Sequence, residues 1–133
     1  MVSRLELVLK ELNENGNFRA SLFATSTGLV LASQKEEGID DRVVAAMGSL
    51  LSDSAYKAAE ELKLSAIQSM NIKYVEDYII MRNIILSSDN KNQFLLAVLS
   101  KRPESEDVER YIDQLIDWAV ENSQADLEKL SSL

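Results

Sequence analysis

Two stretches of this chain are apolar at alternate positions and also at the positions between. Ala20–Ala24 places Ala20, Leu22 and Ala24 on one parity and Phe23 on the other, and Phe94–Leu99 is a continuous apolar run. Successive strand side chains point to opposite faces, so a strand with one wet face alternates apolar and polar. A strand apolar on both parities belongs to a sheet covered on both sides. Any fold for this chain must therefore supply helices to both faces of a sheet.

The sequence supplies three. Leu5, Val8, Leu9 and Leu12 recur at spacings of three and four, which predicts a short amphipathic helix over Val2–Asn13. Ser3 is placed to cap it, and Asn13–Gly16 is expected to end it. A long helix is predicted over Asp40–Leu62, with Asp40 or Asp41 as N-cap. Pro103 breaks the chain, and Glu104 or Ser105 opens a last helix striped by Val108, Tyr111, Ile112, Leu115, Ile116 and Ala119, with Trp118 on its flank. Residues after Asn122 keep Leu127 and Leu130 three apart and either extend that helix or fray.

The long helix carries two stripes. One consists of Val43, Met47, Leu50, Leu51, Ser54, Ala58 and Leu62. The other is small: Ala45, Gly48, Ser52, Ala55 and Ala59. An internal Gly costs a helix about 1 kcal/mol relative to Ala, so a packing reason is expected for Gly48. Small residues in a row admit a close neighbour, either a second helix or the strands of the chain's own sheet.

Five strands are predicted. Phe18–Ala24 and Leu29–Ser33 form a hairpin, closed by Gly28 with a positive φ. Ala66–Tyr74 alternates, Asp77–Leu86 is rich in β-branched residues, and Val75-Glu76-Asp77 turns between them. Ser87–Asn92 reads as the next turn and Gln93–Ser100 as the fifth strand. The order is α-β-β-α-β-β-β-α, an α+β fold with an antiparallel five-stranded sheet between one long helix and two terminal helices.

Composition excludes much chemistry. The chain has no Cys and no His, which removes the usual zinc sites, thiol nucleophiles and Ser–His–Asp arrangements. With 14 basic and 22 acidic residues its net charge is −8, which argues against nucleic acid as a partner and against anionic membranes. No glycine-rich phosphate loop occurs. Adjacent acids such as Asp40-Asp41 and Glu60-Glu61 diverge by about 100° on a helix and suit helix ends better than catalysis or a metal. No cofactor and no metal are expected. No stretch reaches the ~20 apolar residues of a membrane span, and no signal-peptide pattern opens the chain, so a cytoplasmic protein is expected.

This order, with two local patterns, resembles the Roadblock / dynein light chain family. One pattern is the hairpin ASLFATSTGLVLAS, whose Gly28–Ser33 (GLVLAS) matches the family's turn and second strand. The other is DDRVVAAMGSLLSDSAYKAAEEL, similar to the family's central helix at Ala45, Ala46 and Met47. The likeness spans Val2–Asn122, leaving 123–133 as a tail or helix extension. It implies a profilin-like roadblock fold. It also implies a dimer, with itself or a paralogous roadblock chain, in which central helices pack side by side and third strands pair. Here that would engage Ala45, Gly48, Ser52, Ala55 and Ala59 with Gln68, Met70 and Ile72. The implied function is non-catalytic: binding and regulating a small Ras-like GTPase, or serving as a structural adaptor without effect on nucleotide turnover.

The polar face of the long helix separates those two functions. Arg42, Ser49, Asp53, Tyr56, Lys57 and Glu60 would form a mixed docking surface for a partner, or plain solvated surface. Arg42 either supplies charge to a docked GTPase or pairs with a neighbouring acid. Tyr56 belongs to an interface, either the dimer seam or the partner-facing surface, or to the core.

Overall fold

A computed structural model of the chain describes residues 3–86 and 92–131. The elements are α1 (Arg4–Gly16), β1 (Ala20–Thr25), β2 (Val30–Lys35), α2 (Asp41–Leu62), β3 (Ser69–Lys73), β4 (Asp77–Ile85), β5 (Asn92–Lys101) and α3 (Glu106–Ser131). The sheet is antiparallel throughout, in the order β2-β1-β5-β4-β3. The fold class expected from the sequence is the one found. The turn expected over Ser87–Asn92 falls on 87–91, outside the described residues.

Boundaries move for local reasons. Ser3 caps α1 by accepting from the Glu6 N–H, but the helix runs three residues past Asn13. Asn17, not Gly16, takes the left-handed conformation (φ 54°), and its N–H bonds to the Asn13 carbonyl. Gly16 stays helical, and the Phe18 ring occupies the space a Cβ there would need, 2.3 Å away. That fold-back takes Phe18 out of β1 and into the core. Gly28 has φ 95° and closes the β1–β2 turn as expected. The predicted third strand shrinks to five residues, with 64–68 running as irregular chain from α2 to β3.

Two cores lie on the two faces of the sheet. On one, α1 and α3 cover Phe23, Ile80, Leu96 and Val98 with Leu9, Leu12, Ile112 and Ile116. On the other, α2 packs on Leu22, Ala24, Met81, Leu95 and Ala97. β1 is buried on both parities, as its sequence requires. The segment 123–131 is no frayed tail. It continues α3, buries Ser123 and Leu127 completely, and pairs Asp126 with Arg4 of α1 at 3.3 Å.

α2 lies over β1, β2 and β5. β3 is an edge strand, and Met70 and Ile72 on it are only half-buried. The α2 side of the sheet is therefore less covered toward β3, and this asymmetry positions the surfaces described next.

Candidate partner interface

α2 starts at a strong cap. The Asp40 carboxylate accepts from the Arg42 N–H at 3.0 Å and from its guanidinium at 3.3 Å. The Arg42 side-chain hydrogen bond, followed by the backbone one, holds the Asp40 carboxyl below the usual carboxylate range, and Asp40 raises Arg42 in turn. Arg42 thus pairs with a neighbouring acid. Farther along, Ser33 donates to Asp41 at 2.7 Å and Ser49 donates to the Ser26 carbonyl at 2.9 Å, tying α2 to the hairpin. Ser52 donates to Asn83 of β4 at 3.1 Å inside the protein.

These ties orient the helix and decide which stripe faces where. Ala45 is 0% exposed, and Gly48 and Ser52 are buried. A Cβ on Gly48 would lie 2.3 Å from Leu95 Cδ2 of the chain's own sheet. A second helix therefore cannot reach Ala45, Gly48 or Ser52. The chain's own strands occupy that groove, because small residues bring α2 down onto Leu95 and Met81. Ala55 and Ala59, beyond them, are half-buried.

The outer part of the stripe of larger residues faces away from the sheet instead. Val43 is 63% exposed and Leu50 70% exposed, while Met47 and Leu51 are half-buried and pack against the core beneath α2. On β3, Met70 and Ile72 are half-buried, while Gln68, just before the strand, is exposed and accepts from the Asn83 N–H through its carbonyl at 2.8 Å. The spacing of Val43, Met47 and Leu50 was visible in the sequence. Its outward direction was not, because both stripes have helical periodicity.

The six polar-face residues do not act as one surface. Ser49, Asp53, Tyr56 and Glu60 line a groove of about 600 Å³ between the second half of α2, the β1–β2 turn and the 64–67 segment. Its apolar lining comes from Ala59, Leu64, Ile67 and Ile85, and Tyr56 stands 58% exposed on its wall. Arg42 lies outside it near the start of the helix. Lys57 also lies outside it, pairing with Asp53 at 3.1 Å in an exposed i,i+4 contact. Leu64, Ile67 and Ile85 lie outside α2, so no helical spacing could have joined them to Tyr56.

Among the described residues, no group of three or more His, Cys, Asp or Glu could hold a metal ion. No helix among them is long and apolar enough to cross a membrane.

No family model matches the sequence. The chain is 27% identical over 106 residues to the uncharacterized protein MJ0714 of Methanocaldococcus jannaschii, covering 75% of this chain and 90% of that protein. In structure it is similar to Myxococcus xanthus MglB, with a TM-score of 0.79 and 15% identity over 96% of this chain and 97% of that one. It is similar to the Roadblock/LC7 domain from Streptomyces avermitilis at a TM-score of 0.77 and 15% identity, covering 95% and 99%. A structure described as MglB with tetrameric arrangement matches at 0.76 and 15% identity, covering 95% and 89%. At such identities the likeness speaks to fold and leaves function to the surfaces.

Proposed function

We propose that this chain, which has the roadblock fold, is a non-catalytic module that dimerises through the outward stripe of α2 and the β3 edge, and that binds and regulates a small Ras-like GTPase in the cytoplasm. One observation carries the reading: Val43 and Leu50 stand exposed on α2, while Met70 and Ile72 stay half-buried on the edge strand. A second copy, or a paralogous roadblock chain, related by a two-fold axis would cover both. An edge strand with unpaired backbone groups invites a partner strand. The tetrameric arrangement named for one MglB structure supports self-association as a property compatible with this fold.

The GTPase is proposed from the family resemblance of the sequence together with the groove, which gathers four of the six expected docking residues. Sedimentation equilibrium of the chain, followed by binding to small GTPases of its source organism in GDP and GTP states, tests both halves. A monomer at micromolar concentration with no heteropartner refutes the dimer. Equal binding to both nucleotide states, without change in turnover, replaces regulation by the scaffold reading.

A further inference from the structure

We infer that the groove between the second half of α2 and the 64–67 segment receives a basic, amphipathic segment of a partner protein. This deepens the docking reading above and rests on it for the partner's place on the chain.

The chemistry of the groove sets its occupant. Leu64, Ile67 and Ile85 give it an apolar lining that suits aliphatic side chains. Asp53, Tyr56 and Glu60 line it from α2 at spacings of three and four, so one wall presents a carboxylate, an aromatic ring and a second carboxylate. Among the described residues, no Lys or Arg lines it. A ring flanked by two carboxylates suits a Lys or Arg side chain, through cation–π contact and charge-assisted hydrogen bonds. Lys57 partly offsets Asp53, but both are well exposed and such a pair holds weakly, so an incoming cation competes with it. The net charge of −8 adds a long-range bias toward a basic partner.

The groove is also distinct from the proposed dimer seam. Ser49, Asp53, Tyr56 and Glu60 lie on a different side of α2 from Val43, Met47 and Leu50, since successive helix positions turn by about 100°. Dimerisation would leave the groove open.

The test uses the full chain and three fluorescein-labelled peptides of about a dozen residues. One is a Leu/Lys sequence with leucines at helical spacing, one replaces its Lys by Glu, and one scrambles the first. Binding is read by anisotropy and mapped by amide chemical shifts. The expected result is saturable binding of the first peptide alone below about 1 mM. Its shifts should centre on Tyr56, Glu60, Leu64 and Ile67. Affinity should fall about ten-fold in the Asp53→Asn, Glu60→Gln double variant at low salt, and less so at high salt. Both positions are exposed, and an unchanged circular dichroism spectrum and melting curve confirm that the variant folds. No binding, equal binding of the scrambled or acidic peptide, or shifts centred on Val43 and Leu50 overturns the inference. GTPase binding that survives the double variant overturns the inference and leaves the proposed function standing. Peptide binding in the groove without any GTPase partner does the reverse.

Discussion

Gly48→Ala measures which way the small stripe of α2 faces. In an isolated helix the change stabilises by about 1 kcal/mol, because Ala loses less backbone entropy than Gly. Here the new Cβ would sit 2.3 Å from Leu95 Cδ2, so the two carbons must separate by about 1 Å to reach ordinary contact. Leu95 is fully buried in β5 and has little room to give. Overpacking of this kind costs about 1–3 kcal/mol, which exceeds the helix gain, so a net loss on the order of 1 kcal/mol is expected. For a chain of this length that lowers Tm by a few degrees, roughly 3–5 °C.

Leu95→Val supplies the control. Shortening Leu95 takes away the clashing Cδ2, and the next nearest heavy atom of another residue is Met81 Sδ at 3.5 Å, an ordinary contact. In that background Gly48→Ala should stabilise, by up to about 1 kcal/mol, so the effect changes sign. Urea unfolding of the four proteins, monitored by circular dichroism, closes the cycle. If Gly48→Ala stabilises the parent chain, or acts equally in both backgrounds, then α2 does not rest on Leu95 and the inward assignment of Ala45, Gly48 and Ser52 is wrong.

Leu50→Glu should weaken the proposed dimer by at least about 10-fold in Kd, because a two-fold interface loses the burial of both leucines at about 1–2 kcal/mol each and gains two acids; analytical ultracentrifugation reads it, and an unchanged Kd rejects the outward seam. Leu127→Ala should cost about 2–4 kcal/mol in urea unfolding, since its side chain is wholly buried beyond Asn122; a loss below 0.5 kcal/mol, roughly the scale of a surface change, would show that the end of α3 is not part of the core. Asp40→Asn should destabilise the chain at neutral pH and lose that effect in acid. The folded-state pKa of Asp40 lies below its ordinary value, so its ionic contribution is present above the unfolded pKa and disappears as pH falls through the folded one. A difference between the two proteins that persists unchanged to pH 2 contradicts this account.

Much of the architecture is legible in the sequence. The doubly apolar β1 demanded cover on both faces, and both faces are covered. Ser3, Asp40 and Gly28 act locally as their residue types dictate, because a cap or a turn needs only a few neighbouring atoms. The shift of the α1 stop to Asn17 was not legible, since Asn13, Asn15, Gly16 and Asn17 all tolerate a left-handed stop.

The candidate surfaces divide along the same line. Periodicity alone established that α2 has two apolar stripes and a polar face. Which stripe is inside depends on depth: Ala45 and Gly48 allow α2 to settle on Leu95 and Met81, and that leaves Val43 and Leu50 outside. The groove goes further still, because Tyr56 and Glu60 meet Leu64, Ile67 and Ile85 only after the chain leaves α2 and turns back toward the sheet. Sequence spacing determines which residues share a face of one helix. Only tertiary packing decides what that face meets, because helix, irregular segment and sheet edge come together through contacts that no local period encodes.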